Sequence, residues 1–392
     1  MPSAGPGIPT LFFAALRLGC TSFGGPIAHL GYFRHEYVQR RKWLSESEYA
    51  ELVAFCQFLP GPASSQVGFG VGLLQRGWLG GLAAWLGFTL PSAVLMTVFA
   101  YGVGSLTHPE AAGWLAGLRI AAAAVVGQAV VAMWRNLCGD LPRSAIAAAA
   151  ALTTLHTSAV LQPLLLAVGG LIGWRVLRVT PKEPSAAPSL KSRHSGVCLA
   201  TFFVLLTLLP IAAHFRPDSS VAVADRMFRG GSLIFGGGHA VVPILGQQVV
   251  AEGWISEERF FSGYGFTQAM PGPLFTFAAY LGASFRVGMG GWLGATWALA
   301  WIFLPGLLLV GGLLPFWQSL RGSVGMQSAV AGVNAAIVGL LFSAWIDPLA
   351  TTSLLGWREV ALAAAGWIGL QYRIIPAWLV VLASAGAGAL LL

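Results

Sequence analysis

A Pro-Gly-Pro triplet stands in the middle of two long apolar stretches, and this feature constrains the fold more than any other in the sequence. The first triplet lies in QFLPGPAS, residues 57–64, and the second lies in QAMPGPLF, residues 268–275. Proline removes a backbone donor and clashes with the preceding turn, so a helix is expected to break at each triplet. The fold must therefore accommodate two broken helices in apolar surroundings.

The apolar stretches are too many and too long to be hidden in a soluble core. Hydrophobic residues make up 56% of the 392 residues and charged residues only 9%, whereas about 25% of the residues of an ordinary soluble domain are charged. Runs of about 18 or more weakly charged residues recur along the chain, and each run is a candidate transmembrane helix. The sequence predicts an all-α polytopic membrane protein in a lipid bilayer.

Composition and motifs exclude several other classes of protein. The basic residues behind the net charge of +8 lie in short loops between apolar runs, as the positive-inside rule produces, so we expect no nucleic-acid binding. The four cysteines lack CxxC spacing, which predicts neither a disulfide framework nor a metal site. No phosphate-binding loop or HExxH motif occurs, so no ATP-driven step, catalytic residue or cofactor is expected.

The sequence contains an internal repeat. Arg17 and the segment SFGGP at 22–26 align with Arg229 and the segment IFGGG at 234–238. WLSE then aligns with WISE, and the two Pro-Gly-Pro triplets align with each other. The order of so many rare residues predicts two homologous halves.

We place the two halves at residues 1–178 and 215–392. The segment 179–196, rich in Pro, Ser and charge, is predicted to be a cytoplasmic linker. An extra apolar segment at 197–214 follows and is predicted to be a transmembrane helix without a partner in the first half. An unpaired span reverses the second repeat relative to the first, so we predict repeats of inverted topology.

Loop charges favour the same inversion. The loop at 32–43 carries three arginines and a lysine, whereas its counterpart at 249–260 carries three glutamates and a single arginine. Opposite bias in matching loops predicts that they lie on opposite faces of the membrane. We favour re-entrant FGG and PGP segments, because a count of membrane crossings that treats them as hairpins places the other basic loops on one side. Fully spanning segments are the open alternative.

Broken helices inside a membrane indicate a transporter. An unsatisfied amide in lipid costs several kcal/mol, so such breaks occur only where protein or a water-filled cavity receives the freed groups. Inverted repeats whose broken segments meet near the midplane are a recurring transporter plan. Helix N-termini at the breaks favour anions, so we predict an anion site where the FGG and PGP elements of both halves meet.

The candidate substrate-binding residues belong to these motifs or shortly precede them. They are Arg17, Ser22, Gly24, Gly25, Gln57, Pro60, Gly61 and Pro62 in the first half, and Arg229, Gly236, Gly237, Gly238, His239, Gln268, Pro271, Gly272 and Pro273 in the second. The arginines would bind a tetrahedral oxyanion or snorkel to headgroups. The glycines would form an amide nest or pack helices closely. The glutamines would bind substrate or satisfy the backbone freed by proline.

Further candidates carry a weaker signal. They are Arg76, Arg286, Ser64, Ser65 and Thr276, for which snorkelling or helix capping is the alternative. His239 and Glu51 are candidates for proton coupling, since the charge of a histidine changes near neutral pH. Simple hydrogen bonding is the alternative for His239.

The segments RLGCTSFGGP, RKWLSESEY, FCQFLPGP, IFGGGHAVVPIL and QAMPGP closely resemble the long-chain, two-domain form of the chromate ion transporter family. The resemblance covers both halves and implies gradient-driven export of chromate across the bacterial inner membrane, which confers chromate resistance. It also implies that sulfate, a tetrahedral dianion of similar size, competes or is exchanged. Gly238 stands where the first half has Pro26, so the two half-sites need not bind equally.

Rival functions belong to other classes. One is another oxyanion, sulfate above all, as the true substrate, and a second is a passive anion channel built on the same repeats. A third is a membrane scaffold or sensor without flux. A homodimer is an open alternative to a monomer.

Overall fold

The computed structural model describes residues 5–105, 110–157, 161–178, 194–235 and 238–391, and every regular element within them is helical. The α-helices are α1 (Ile8–Thr21), α2 (Gly25–Phe33), α3 (Glu46–Phe58), α4 (Ala63–Ser105), α5 (Glu110–Leu137), α6 (Leu141–His156), α7 (Gln162–Val176), α8 (Ser195–His214), α9 (Ser220–Leu233), α10 (Gln247–Ala251), α11 (Glu257–Thr267), α12 (Phe277–Ser284), α13 (Gly291–Leu313), α14 (Trp317–Gly322), α15 (Val324–Ala344), α16 (Thr351–Ser353), α17 (Trp357–Gln371) and α18 (Ala377–Leu391). Short 3₁₀ or π segments lie at Arg34–Arg40, Gly238–Ala240, Val242–Gly246, Leu274–Thr276, Leu314–Phe316 and Trp345–Ala350. The all-α prediction is confirmed for these residues, and positions 179–193 of the predicted linker lie outside them.

Five helical stretches are long and apolar enough to cross a membrane. They cover Ala63–Gly104, Gly113–Leu137, Ser195–His214, Gly291–Phe316 and Val324–Ser353. At about 1.5 Å per residue, even the shortest, with 20 residues, matches a hydrocarbon core about 30 Å thick. The polytopic class is therefore confirmed, and the third stretch coincides with the extra apolar segment.

Each Pro-Gly-Pro triplet lies between two helices. α3 ends at Phe58 and α4 begins at Ala63, on either side of the first triplet. α11 ends at Thr267, and a 3₁₀ turn and then α12 follow the second triplet. Proline cannot donate to the preceding turn, and the break expected from the sequence is present at both places.

The helices around the first triplet form a hairpin, which we call hairpin 1. It consists of α3, the triplet and residues 63–75 of α4. The Gln75 Nε2 atom donates to the Trp43 carbonyl at 2.8 Å, and Leu52 packs against Gly70 between the two arms. The base of the hairpin is closed by the first contact, so the triplet is its tip.

The helices around the second triplet form hairpin 2, which consists of α11, the triplet, Leu274–Thr276 and α12. The backbone N–H of Arg286 donates to the Trp254 carbonyl at 3.0 Å, and Tyr280 packs against Gly263 between the arms. The base contact involves the tryptophan that aligns with the one at the base of hairpin 1. The same element order therefore recurs around the two triplets.

The last helices of each half of the sequence pack on a long helix of the other half. α7 lies against α15, and α18 lies against α5. A Cβ atom on Gly173 would lie 2.7 Å from Gly332 Cα, and one on Gly117 would overlap the Ser384 carbonyl. Small residues let these backbones approach, as is common between helices in membranes.

Candidate functional site

The tip of each hairpin is hydrogen-bonded to the end of a helix from the other half. The Gly61 N–H donates to the Ile234 carbonyl at 2.7 Å, and the Gly272 N–H donates to the Ser22 carbonyl at 2.9 Å. Ser22 and Ile234 are the residues that follow α1 and α9 and begin the two aligned motifs. We call these four residues the crossing, where the PGP and FGG elements of both halves meet.

Both tip glycines have a backbone that other residues rarely adopt. The φ angle is 115° at Gly61 and 88° at Gly272, in the region that favours glycine. A Cβ atom on Gly61 would lie 2.9 Å from Gln66 Nε2, and one on Gly272 would lie 2.8 Å from Ser92 Oγ. The two tip amides are already bonded to carbonyls, so these glycines shape the crossing, and their own N–H groups are not free for a ligand.

The glycine runs differ between the two motifs. Gly24 and Gly25 have φ angles of 97° and 76°, and α2 begins at Gly25, where an added Cβ atom would meet nothing within 4 Å. This geometry suits an amide nest that faces open space. Gly236 and Gly237 lie outside the described residues. Gly238 is packed, since a Cβ atom there would lie 2.8 Å from Leu274 Cδ1.

Several polar atoms around the crossing are buried and have no hydrogen-bond partner among the described residues. They are Ser22 Oγ, Ser65 Oγ, Gln66 Oε1, Thr89 Oγ1 and Gln268 Nε2. Their side chains are at most 9% exposed. Unpaired buried polar atoms are rare in folded proteins and call for an explanation such as a ligand or water.

One of the two roles predicted for Gln57, hydrogen bonding to the backbone at the break, belongs to another glutamine. Gln57 is exposed, whereas the buried Gln66 donates from Nε2 to the Pro60 carbonyl at 2.7 Å. Gln66 lies in the first turn after the break and reaches back to a carbonyl of the triplet itself. Gln268, the partner of Gln57 in the alignment, is buried, so the two aligned glutamines occupy different surroundings.

Two histidines hold the motifs to the hairpins. The Nδ1 atom of His239 lies 2.6 Å from the hydroxyl of Tyr264 in α11, which supports the hydrogen-bonding interpretation of this histidine. His29 in α2, which the sequence analysis missed, is buried, and its Nδ1 lies 3.3 Å from Ser64 Oγ. The sequence could have indicated this contact, because a lone histidine in an apolar run beside a motif requires a polar partner.

The threonine after the second triplet makes a local hydrogen bond. The Thr276 hydroxyl donates to the Pro273 carbonyl at 2.7 Å, and it makes no cap hydrogen bond to the start of α12. Pro60 is partly buried, and Pro62 and Pro271 are buried. These prolines lie at the hairpin tips and fix the backbone there.

The two intramembrane arginines have different surroundings. Arg17 is exposed on α1 and has no ion-pair partner within the described part of the chain. Arg229 on α9 is 27% exposed and pairs with Asp225, whose side chain is fully buried; its Nε lies 2.7 Å from Asp225 Oδ1. The spacing of Asp225 and Arg229 is i, i+4, a helical ion-pair signal that the sequence analysis missed.

The arginines at the ends of the hairpins lie at exposed positions. Arg76 sits at a kink within α4 and donates from Nε to the Pro6 carbonyl at 2.8 Å. Arg286 is exposed at the base of hairpin 2. Neither lies at the crossing, so the structure does not bring them together with the motif residues.

Glu51 connects hairpin 1 to the second half. It is buried, forms an ion pair with Arg321 and accepts a hydrogen bond from Trp317 Nε1 at 3.1 Å. The carboxylate therefore joins α3 to α14. At the aligned position of hairpin 2, Ser262 donates to the Leu115 carbonyl at 3.2 Å.

The basic loop after α2 contains its own carboxylate. Glu36 accepts hydrogen bonds from Arg40 at 3.0 Å and from Arg41 at 2.6 Å. Burial raises the pKa of the Glu36 carboxyl, but the hydrogen bonds from Arg41 and Arg40 outweigh burial and leave this pKa below its ordinary value. The Arg41 guanidinium also lies over the Trp43 ring, 4.9 Å from its centroid.

The family model described as "Chromate transporter" matches residues 9–174 and 221–389. A chromate transport protein of Pseudomonas aeruginosa is 27% identical over 344 residues, which cover 86% of this chain and 80% of that protein. A chromate transport protein of Cupriavidus metallidurans is also 27% identical over 344 residues, which cover 84% of this chain and 80% of that protein.

A more distant organism carries a similar protein. An uncharacterized transporter of Methanocaldococcus jannaschii is 27% identical over 356 residues, which cover 87% of this chain and 84% of that protein. No solved structure matches the chain. Within the described residues, no group of three or more His, Cys, Asp or Glu side chains could hold a metal ion.

Proposed function

The chain belongs to the chromate transporter family, and from this premise we propose that it is a secondary transporter that exports chromate across the bacterial inner membrane and confers chromate resistance. The similar proteins from Pseudomonas aeruginosa and Cupriavidus metallidurans are named as chromate transport proteins. The family consists of transporters, and the chain is not an enzyme. Five apolar helices long enough to span a bilayer support a multi-pass location in the membrane.

The observation that carries the proposed binding site is the set of unpaired polar atoms at the crossing. The hydroxyls of Ser22, Ser65 and Thr89 are buried donors without a partner among the described residues. A tetrahedral oxyanion accepts several hydrogen bonds at once, so chromate bound here would satisfy donors that are otherwise costly to bury.

The arginines supply the positive charge. Arg17 and Arg229 each lie five residues before a residue of the crossing, or about 7.5 Å along a helix axis. A charge inside a membrane protein is costly and tends to mark an ion pathway. Gly24 and Gly25 would add backbone donors on the first side, and Gly236 and Gly237 are proposed to do the same on the second.

The architecture is proposed to be two inverted repeats, 1–178 and 215–392, separated by a cytoplasmic linker at 179–196 and a transmembrane helix at 197–214. The closed bases of hairpins 1 and 2 support re-entrant segments, because α3 has 13 residues and α11 has 11. Such arms are about 20 Å long or less and do not cross a hydrocarbon core of about 30 Å. One repeat moving against the other would provide alternating access.

Proton coupling is proposed at His239 or Glu51. Each has a hydrogen-bond partner from another helix, Tyr264 for the histidine and Trp317 for the glutamate. A proton gained or lost at either position would change a contact that holds a hairpin in place. Histidine is the residue whose ordinary titration lies closest to neutral pH.

Chromate uptake into everted vesicles that contain the protein tests the function. We expect accumulation that an uncoupler abolishes and that sulfate inhibits. Chromate that still enters in the presence of the uncoupler, and rises only to its outside concentration, would instead indicate a passive anion channel. Absence of any chromate or sulfate flux would contradict transport and would leave a scaffold or sensor.

Sulfate is the second candidate substrate. It is a tetrahedral dianion like chromate, so the unpaired donors at the crossing meet its requirements equally well. Sulfate flux in the same vesicles without chromate flux would assign the site to sulfate.

A further inference from the structure

Asp225 carries a fully buried charge that has no role in the function proposed above. Its side chain is fully buried and accepts from Arg229 Nε at 2.7 Å and from Arg226 Nη1 at 2.8 Å. Glu252 binds Arg226 as well. The four side chains form an alternating row in which Asp225 has two arginine partners.

The row borders a cleft of about 460 Å³. His214 at the end of α8, Asp218 in the following loop and Trp254 also line this cleft. The side chains of Arg226 and Arg229 are 24% and 27% exposed, whereas that of Asp225 is 0% exposed. A solute in the cleft can therefore reach the guanidinium groups before it reaches the carboxylate.

We propose, on the basis of the function proposed above, that Asp225 is the resting ligand of Arg229 and that the transported oxyanion takes its place. Asp225 engages the Nε and Nη2 atoms of Arg229, an edge of the guanidinium that suits bidentate anions. An oxyanion that binds this edge must displace the carboxylate. Asp225 then keeps Arg226, so the exchange does not leave a buried charge without a partner.

The exchange makes Asp225 set a threshold for anion binding. Displacing the carboxylate costs every anion the same free energy, whereas attraction to the guanidinium groups grows with the charge of the ligand. Asp225 therefore lowers the affinity of Arg229 for every anion by the same factor, and dianions, which Arg229 attracts most strongly, are the ligands that still bind. Phe13 occupies the aligned position in the first half, so Arg17 has no such competitor on its own helix.

Asp225→Asn in the full-length protein tests the exchange. Binding of sulfate and nitrate is measured from the thermal stabilisation that each anion gives the purified protein, beside chromate uptake into everted vesicles. We expect sulfate and nitrate each to bind about fivefold more tightly to this variant, because both lose the same competitor. Asp218→Asn is the matched control, because it removes a carboxylate from the same cleft without touching Arg229. We expect it to bind both anions as the wild type does.

Arg226→Gln shifts binding in the opposite direction. It leaves Arg229 as the only arginine on Asp225, so we expect weaker sulfate binding. A general loss of folding cannot shift sulfate binding in opposite directions in Asp225→Asn and Arg226→Gln. Unchanged anion binding in Asp225→Asn, or an equal gain in Asp218→Asn, would overturn the exchange. Tighter sulfate binding in Asp225→Asn without chromate uptake in the wild type would support the exchange and overturn chromate as substrate. A wild type that binds no oxyanion overturns both.

Discussion

Hairpins 1 and 2 have corresponding backbone contacts but are held by different side chains. Each has a glycine tip with positive φ that donates to a carbonyl of the other half. Hairpin 1 is tied to the second half by the buried ion pair of Glu51 and Arg321. Hairpin 2 has the hydroxyl of Ser262 at the aligned position, and its own ion pair to the first half, between Glu258 and Arg119 at 3.5 Å, is more exposed. The backbone contacts set by proline and glycine recur, whereas the charges differ.

The arginines before the two motifs show the same contrast. Arg229 is paired with a buried carboxylate, whereas Arg17 is exposed and lacks an ion-pair partner in the described ranges. In the proposed mechanism Arg17 would bind the anion directly, whereas Arg229 would bind it only by exchange with Asp225. The two halves would then not be interchangeable in transport.

Removing either arginine is expected to have the largest effect. Arg17→Ala and Arg229→Ala should each lower chromate uptake by at least about tenfold, because each removes a charge from the proposed pathway, while the protein still inserts into the membrane. Chromate uptake into vesicles, normalised to the amount of protein, measures this. Arg135→Ala, an exposed arginine at the end of α5, is the control and should transport normally. Wild-type uptake in both variants would remove the arginines from the mechanism.

Substitution of the tip glycines compares the two hairpins directly. Gly61→Ala and Gly272→Ala should each lower the free energy of unfolding by about 2 kcal/mol or more, since both positions combine positive φ with a crowded Cβ. Gly253→Ala is the control, because its φ of 72° is also positive but no atom lies within 4 Å of an added Cβ, and about 1 kcal/mol is expected. Denaturation in detergent micelles measures all three. A loss confined to one tip would show that the two are not equivalent.

The buried ion pair should stabilise hairpin 1 more than the Ser262 hydrogen bond stabilises hairpin 2. Glu51→Gln leaves Arg321 without its carboxylate and should cost about 3 kcal/mol of unfolding free energy. Ser262→Ala removes one hydrogen bond and should cost about 1 kcal/mol. The same denaturation experiment compares them. Equal losses would mean that the ion pair contributes no more than the hydroxyl.

Helix caps give the smallest expected difference. Ser45 at the start of α3 forms a reciprocal capping box with Glu48, whereas Ser256 at the start of α11 caps the Arg259 amide alone. Ser45→Ala should cost about 1 kcal/mol and Ser256→Ala about half as much. Hydrogen exchange of the Glu48 and Arg259 amides reports the loss at each cap. Faster exchange only at Arg259 would contradict this order.

Local chemistry made part of the fold predictable. Each triplet combines two prolines with a glycine of positive φ, so the breaks at both triplets follow from local chemistry. The single prolines Pro91, Pro210 and Pro305 lie inside helices instead. The sequence analysis also predicted that the FGG and PGP elements meet. It did not predict the individual bonds of the crossing, because the bond from Gly272 to Ser22 joins residues that are far apart in the chain. Gln57 was predicted to bind substrate or to satisfy the backbone at the break, but Gln66, which follows the break, makes the backbone contact. The Asp225 pair could have been found from its helical spacing.

The two hydrogen bonds at the crossing have a mechanical consequence. Each hairpin tip is fastened to the half of the chain that does not contain it, so neither tip can travel alone with its own half. A rotation of one half against the other must turn about these two contacts or break at least one of them. If both bonds hold, atomic displacement is smallest at the crossing and grows along α3 and α11 towards the bases of the hairpins.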